Sequence, residues 1–165
     1  SDVCSSDLHP IYDFSLAVER VQAAVEAARA LPFPFMLTAR AENLLHGRND
    51  LDDTIKRLQA FEAVGADVLY APGVYDAKTI RTVTASLGKP FNLVMGFADP
   101  TLTVDQIAAA GVKRISTGGA MERHALNAFL RSAREMKDKG SFSYVRDMAP
   151  VKEVRAAFNG SVPAP

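Results

Sequence analysis

Two spacings of apolar residues alternate along the middle of the chain. Within residues 51–64, apolar side chains recur at three- and four-residue steps and predict one buried helix face: Leu51, Ile55, Leu58, Phe61 and Val64. Short apolar runs between such segments predict four strands, at about 35–40, 67–71, 91–95 and 113–117. Amphipathic segments at 15–31, 120–138 and 150–158 predict further helices, so every strand is followed by a helix.

Glycines repeat in step with these elements. Gly65, Gly88 and Gly111 are each 23 residues apart, and each follows a helical segment and precedes a strand. We expect all three to adopt the left-handed conformation that glycine favours just past a helix end. A second set of glycines closes the strands: Gly73, Gly96 and Gly118. The repeated unit predicts successive βα units with a parallel sheet.

Two of the helices carry start signals. Asp50 is predicted to cap the helix over 51–64. Thr103 and Gln106 have capping-box spacing, and Leu102 and Ile107 are placed as a hydrophobic staple.

Composition narrows the class of protein. Lys+Arg and Asp+Glu are both 19, and this balance argues against nucleic acid or an anionic membrane as the main partner. The longest apolar run is far shorter than the roughly 18 residues of a membrane helix, and no signal-peptide pattern is present, so we expect a cytoplasmic protein. One cysteine excludes an internal disulfide framework, and three scattered histidines have no metal-ligand spacing.

The end of the first predicted strand and the helix after it resemble the isocitrate lyase/phosphoenolpyruvate mutase superfamily. The strand ends in Thr-Ala-Arg-Ala-Glu-Asn (38–43), an Asp-rich helix start follows, and Val-Gly-Ala-Asp (64–67) leads into the next strand. Arg-Ile-Ser-Thr-Gly-Gly-Ala-Met (114–121) resembles the last barrel strand of one branch. The resemblance covers roughly residues 11–147.

The resemblance implies a (β/α)₈ barrel in which Mg²⁺ holds a small α-keto acid or its enolate. A barrel of this kind needs roughly 250 residues, so we expect this chain to be the C-terminal half, with about four βα units. Matches to the family's metal-binding carboxylates are missing, so no metal ligand is expected in this chain. The Lys-[Lys/Arg]-Cys-Gly-His loop of the family's carbon–carbon lyases is not matched around Cys4.

The expected organisation has three parts. Residues 1–10 have no apolar period and are interpreted as a linker or non-native segment. Residues 11–147 form the partial barrel, and residues 148–165 form a C-terminal helix and tail. Family members associate through their C-terminal helices, so the resemblance also implies a homo-oligomer.

Arg40 is the first candidate for a functional residue. A guanidinium at the carboxyl end of a parallel strand offers a planar fork for a carboxylate or phosphonate, and the resemblance implies a substrate-binding and catalytic role. A structural ion pair with Glu42 or Asp67 is the alternative. Glu42, as a catalytic residue, and Asn43, as a substrate-binding residue, are candidates to orient Arg40 or to bind metal-bound water. Ordinary loop polarity and helix N-capping are the alternatives. His46 is a candidate general acid or base, and the alternative is that it is an ordinary exposed loop histidine.

The later strands add candidate substrate-binding residues. Asn92 faces either the barrel mouth or the core. The segment Ser116, Thr117, Gly118 and Gly119 ends the last strand and opens a helix, an arrangement that suits an anion; a plain turn is the alternative. Residues Lys113 and Arg114 alternate with apolar neighbours, so at most one of them faces inward.

Two classes of function remain open at this point. The first is part of a Mg²⁺-dependent lyase, decarboxylase, hydrolase or phosphonomutase, inactive without its other half. The second is an autonomous four-stranded α/β module that binds a small anion or dimerises. A cut barrel exposes strand edges and its apolar interior, which favours self-association.

Overall fold

The computed structural model of the chain describes residues 11–96 and 98–159. Six α-helices and one short 3-10 helix (Ser143–Asp147) occur in these ranges, and the α-helices are α1 (Phe14–Arg29), α2 (Leu51–Ala63), α3 (Ala77–Ala85), α4 (Val104–Ala109), α5 (Ala120–Lys139) and α6 (Val151–Phe158). The strands within these ranges are β1 (Thr38–Arg40), β2 (Val68–Tyr70), β3 (Phe91–Val94) and β4 (Arg114–Ser116). The interpretation of residues 1–10, Cys4 included, lies outside the described residues.

The four strands form one sheet in the order β1-β2-β3-β4, and every pair is parallel. Parallel neighbours that follow each other in sequence require a helical crossover on one side of the sheet. Helices α2, α3 and α4 provide those crossovers. The predicted α/β fold of successive βα units is therefore confirmed.

The helix starts follow the sequence signals. The Asp50 carboxylate accepts a hydrogen bond from the Asp53 amide at 2.9 Å and caps α2. At α4, the Thr103 hydroxyl accepts from the Gln106 amide at 3.3 Å, while the Gln106 side chain accepts from the Thr103 amide at 2.8 Å. Both caps are confirmed.

One glycine expectation is wrong. Gly65 and Gly111 have φ of +101° and +92°, as the helix-end pattern predicts, but Gly88 is not in the left-handed region. Helix α3 already ends at Ala85, so Gly88 lies beyond the position where the helix end requires positive φ. Its amide instead donates to the Glu62 carboxylate at 3.0 Å, and a Cβ at Gly88 would collide with that carboxylate.

Strand β1 is also shorter than predicted. Its ladder with β2 begins at Thr38 and Val68, not at residue 35. The side chains of Phe35 and Met36 are 48% and 69% exposed. The apolar run at 35–37 therefore enters the sheet only at its end.

The core lies on one face of the sheet. The buried side chains that project from the strands towards the helices are Ala39, Leu69, Phe91 and Leu93. The helical side of the same cluster is buried as well, and comprises Leu58, Phe61, Ile80, Val83 and Ile107. The opposite face of the sheet carries the buried Val68 and Val94 together with polar side chains.

The chain divides into two compact units, Ser1–Ala120 and Met121–Pro165. The first contains the sheet. The second contains α5 beyond its first residue, the 3-10 helix and α6, and neither α5 nor α6 buries a residue. In the second unit, the Glu135 carboxylate accepts from the Ser141 hydroxyl at 2.7 Å and from the Ser143 amide at 2.6 Å.

No helix among the described residues is both long and apolar enough to span a membrane.

Candidate functional site

A row of four side chains crosses the sheet on the face away from the helices. The strand register aligns Arg40 with Tyr70, Tyr70 with Asn92, and Asn92 with Arg114. Residues aligned in parallel strands project to the same face. We call these four residues the polar row. Ser116, two residues after Arg114, projects to the same face as the row.

At one end of the polar row, Arg40 is engaged by two neighbours. Its Nε lies 2.7 Å from Glu42 Oε1, and its guanidinium lies 5.1 Å from the centre of the Tyr70 ring. The Arg40 and Glu42 side chains are 44% and 30% exposed. Asp67 pairs instead with Arg29, at 2.7 Å. Because exposed ion pairs contribute only about 0–1 kcal/mol, Arg40 can exchange Glu42 for another carboxylate at little cost.

Tyr70 contributes a neutral hydroxyl between Arg40 and Asn92. Burial raises the pKa of the Tyr70 phenol, Arg40 acts to lower it and Glu42 acts to raise it, and the net result lies above the usual value. The phenol therefore keeps its proton at neutral pH and can donate a hydrogen bond.

At the other end, Asn92 is buried and held by two partners. Its Oδ1 accepts from Arg114 Nη1 at 2.6 Å, and its Nδ2 donates to Ser116 Oγ at 3.0 Å. These two bonds fix the orientation of the amide, because Oδ1 can only accept and Nδ2 can only donate. Asn92 thus lies on the polar face of the sheet and joins β3 to β4.

Asn43 lies in the loop between β1 and α2. Its side chain is fully buried, and its Nδ2 donates to Asp53 Oδ2. Arg57 Nε lies 2.9 Å from the same oxygen of Asp53, and Arg57 Nη1 donates to the Tyr12 carbonyl at 2.9 Å. This network ties the loop that follows Arg40 to helix α2 and to the segment just before α1. Asn43 is therefore placed to hold the loop in position.

His46 lies on the outer part of the same loop. It is exposed, and its amide donates to the Glu42 carbonyl at 3.2 Å. The next loop along the sheet supports this one: Gly73 has φ of +97°, and a Cβ there would lie 2.7 Å from Leu44 Cβ. The two loops therefore meet at the carboxyl ends of β1 and β2, with His46 on the solvent side.

The predicted anion segment continues directly from β4. The Ser116 carbonyl accepts from the Met95 amide at 2.8 Å, and the Thr117 carbonyl accepts from the Ala120 amide at 3.1 Å. Gly118 has φ of +53°, and a Cβ there would lie 3.3 Å from Val94. Gly119 is exposed and precedes α5. The two carbonyls are used within the fold, and the role of this segment in binding stays a prediction.

The described residues do not fit a metal ion. They contain no group of three or more His, Cys, Asp or Glu side chains that could hold one. The polar row itself carries two guanidiniums, a phenol and an amide, whose free hydrogens are donors. This donor set suits an oxyanion and would repel a cation.

Sequence reasoning identified Arg40 and Asn92 but missed Tyr70 and left Arg114 undecided. The strand period held the necessary signal, because Tyr70, Asn92 and Arg114 are each 22 residues apart. Equal spacing in successive βα units places residues at equal heights in the sheet when the crossovers have equal length. Tyr70 and Arg114 could therefore have been placed beside Asn92 from this spacing alone, whereas Arg40 is 30 residues before Tyr70 and does not follow it.

Comparison with known proteins places this fold among lyases, hydrolases and mutases of the isocitrate lyase/phosphoenolpyruvate mutase superfamily. The profile of the phosphoenolpyruvate phosphomutase family matches residues 3–137, so the chain belongs to that family. The resemblance seen in the sequence is confirmed. The match begins inside the segment interpreted as a linker or non-native, and that interpretation stays a prediction.

Two relatives show the extent of the match. The oxaloacetate decarboxylase of Paraburkholderia xenovorans (strain LB400) is 30% identical over 139 residues, which are 84% of this chain and 44% of that protein. A candidate lyase/mutase from Burkholderia cenocepacia J2315 has a solved structure with 54% identity and a TM-score of 0.88, covering 95% of this chain and 56% of that one. The chain thus spans about half the length of the relatives it matches.

A third relative shares the fold alone. Phosphonopyruvate hydrolase, solved in complex with oxalate and Mg++, is 22% identical with a TM-score of 0.72, and the match covers 94% of this chain and 55% of that one. These superfamily structures are TIM-barrel-like, and the expectation that four βα units correspond to about half of such a fold is confirmed.

Proposed function

We propose that this chain is the anion-holding half of an enzyme that acts on a small α-keto acid of the oxaloacetate or phosphonopyruvate kind through an enolate. Family membership supports the class, and the oxaloacetate decarboxylase relative supports the kind of acid. The observation that carries the proposal is the polar row, which places hydrogen-bond donors on the face of the sheet away from the helices.

Each residue has a role in this proposal. Arg40 holds a carboxylate or phosphonate of the substrate through its planar fork. Glu42 orients the Arg40 guanidinium until the acid replaces it. His46 is exposed on the loop and is the proposed group that exchanges a proton with the substrate. The negative charge of an enolate is stabilised by donors that are fixed before the reaction begins.

The metal is proposed to come from elsewhere in the protein. The resemblance implies Mg²⁺, and the related phosphonopyruvate hydrolase was solved with Mg++ and oxalate. Since the described residues form no metal-ligand cluster, we propose that the ligands belong to segments that complete the barrel, and that this chain is inactive alone.

The test is a titration of Mg²⁺ with oxalate into this chain and into a version extended upstream to the length of its relatives. We expect calorimetric binding with Mg²⁺ and turnover of oxaloacetate only in the extended version. Turnover by the 165-residue chain alone would overturn the inactivity proposal, and an extended version that neither binds oxalate nor turns over any keto acid would overturn the function. Efficient folding of the short chain as a monomer would instead favour the autonomous module.

We also propose that the second unit associates with a second copy of the chain. Its helices α5 and α6 bury no residue. Large apolar side chains on them are therefore exposed: Met121 is 70%, Phe129 67% and Phe158 88% exposed. Exposed apolar area of this kind marks interaction surfaces. Light scattering after size exclusion should report a dimer or larger assembly, and Phe129→Glu should shift it towards the monomer. A wild-type monomer at about 100 μM would contradict the proposal.

A further inference from the structure

We infer that Tyr70 is a positioning residue, whose ring holds the Arg40 guanidinium in place while an acid group of the substrate replaces Glu42 on that guanidinium. The inference deepens the proposed function and rests on it, because it takes Arg40 as the residue that holds the acid. It gives a task to the aromatic side chain of the polar row.

The ion pair with Glu42 cannot hold Arg40 throughout the binding of an acid. Glu42 Oε1 lies 2.7 Å from Arg40 Nε, and an acid that binds through the guanidinium fork competes with Glu42 for the same group of hydrogens. A long side chain keeps a fixed geometry only when contacts offset the loss of its rotamer entropy. The Arg40 side chain is 44% exposed, so it needs a second contact once Glu42 is displaced.

The ring of Tyr70 supplies that second contact. Arg40 Cζ lies 5.1 Å from the ring centre, within the roughly 6 Å over which a cation and an aromatic face attract each other. This contact uses the flat face of the guanidinium, whereas the hydrogens that bind a carboxylate lie in its plane. The ring and an acid can therefore hold Arg40 at the same time, but Glu42 and an acid compete.

Tyr70 is itself held firmly enough to position another side chain. It lies on β2 between two strands, aligned with Arg40 on one side and with Asn92 on the other. Its carbonyl accepts a hydrogen bond from the Ala41 amide at 2.9 Å, which fixes it against the residue that follows Arg40. Its side chain is half-buried and has only two rotatable bonds before the hydroxyl. The ring is therefore a fixed surface on which the longer arginine side chain rests.

The first test measures the mobility of the Arg40 side chain through the ¹H–¹⁵N heteronuclear NOE of its Nε, in the 165-residue chain at mildly acidic pH. Glu42→Gln should leave Arg40 as ordered as in wild type, because the ring remains. Glu42→Gln combined with Tyr70→Leu should make Arg40 as mobile as the exposed Arg81. Combined with Tyr70→Phe, it should leave Arg40 ordered, since phenylalanine keeps the ring.

Circular dichroism checks that each variant is folded. Glu42→Gln alone decides the question if Tyr70→Leu does not fold, because Arg40 that is as mobile as Arg81 in this single variant would overturn the inference. An ordered Arg40 in the variant that combines Glu42→Gln with Tyr70→Leu would overturn it as well, because the guanidinium would then be held without the ring.

The second test is calorimetric titration of oxalate with Mg²⁺ into the extended version of the chain. Tyr70→Leu should weaken oxalate binding about fivefold or more, and Tyr70→Phe should change it by less than about twofold. Tyr12→Leu is the matched control, because the Tyr12 ring lies 4.6 Å from the Arg20 guanidinium, outside the polar row. It removes the same kind of contact and should leave oxalate binding unchanged.

The outcomes separate this inference from the proposed function. Equal losses in Tyr70→Phe and Tyr70→Leu would mean that the hydroxyl acts and not the ring, and would overturn the inference. Equal losses in Tyr12→Leu and Tyr70→Leu would overturn it too. An Arg40 that the ring keeps ordered, in a protein whose extended version binds no oxalate, would overturn the proposed function alone. Tight oxalate binding with an Arg40 that becomes mobile in Glu42→Gln would overturn the inference alone.

Discussion

Replacement of Arg57 by alanine will lower the free energy of unfolding by about 2–3 kcal/mol. The Arg57 side chain is 6% exposed, pairs with Asp53 at 2.9 Å and donates to the Tyr12 carbonyl at 2.9 Å. Truncation leaves Asp53 without its cationic partner and the Tyr12 carbonyl without its donor. Breaking a buried pair costs about 3–5 kcal/mol, and the value here is lower because Asp53 is 33% exposed. Urea unfolding followed by circular dichroism measures the change.

Lys56→Ala is the control for this measurement. Lys56 precedes Arg57 on α2 and is exposed, so the substitution removes the same charge without touching the network. Its effect should stay within about 0.5 kcal/mol. If both variants lose the same stability, the network has no special role and the loop after Arg40 is held by apolar packing alone.

The same network predicts a dependence on pH. Burial acts to raise the pKa of Asp53, but the hydrogen bond and charge of Arg57, the hydrogen bond of Asn43 and the charge of Arg48 outweigh it, and the net pKa is lowered. A lowered carboxyl pKa in the folded state stabilises the protein above the unfolded value of about 3.9, and this stabilisation is lost as the pH falls through the folded pKa. The difference in the free energy of unfolding between wild type and Arg57→Ala should therefore become smaller below about pH 4.

Much of the fold could be predicted because its signals are local. The Asp50 cap and the Thr103–Gln106 capping box depend only on residues within one turn of helix. The Gly88 expectation was wrong for a reason that is not local: α3 ends earlier than its period indicates, and Gly88 is needed where the Glu62 side chain of α2 approaches. A close approach between separate elements leaves no mark in the spacing of one element.

The residues of the candidate site also differ in whether their signal in the sequence is local. Arg40 was recognisable because it ends a strand, a property of its own segment. Tyr70 and Arg114 act only through partners on neighbouring strands, and their place depends on the register between strands. Asn43 appeared equivalent to Glu42 in the sequence, yet its side chain is buried against Asp53 while Glu42 pairs with Arg40. Loop direction decides such pairs, and short loops carry little sequence signal for direction.

Arg40→Gln should lower kcat/KM for oxaloacetate roughly 100-fold in the extended version of the chain. The guanidinium is the proposed holder of a substrate carboxylate, and hydrogen bonds to charged groups contribute about 1.5–3 kcal/mol each. Glutamine is shorter than arginine and retains one donor group, but it loses the charge and the fork. Steady-state kinetics with calorimetric titration of oxalate would separate the loss of binding from the loss of turnover.

Glu42→Gln is the variant to compare with Arg40→Gln, because Glu42 Oε1 lies 2.7 Å from Arg40 Nε. If Glu42 only holds the guanidinium in place, its removal frees a cation, so oxalate should bind as tightly as in wild type or more tightly. If Glu42 also transfers a proton, kcat should fall about 10²–10⁴-fold while oxalate affinity is retained. The control is Arg81→Gln, the same change of side chain at an exposed position of α3. It should change neither kcat nor the affinity for oxalate. Retention of full oxalate affinity by Arg40→Gln would contradict the proposed role of Arg40, because the acid would then be held without it.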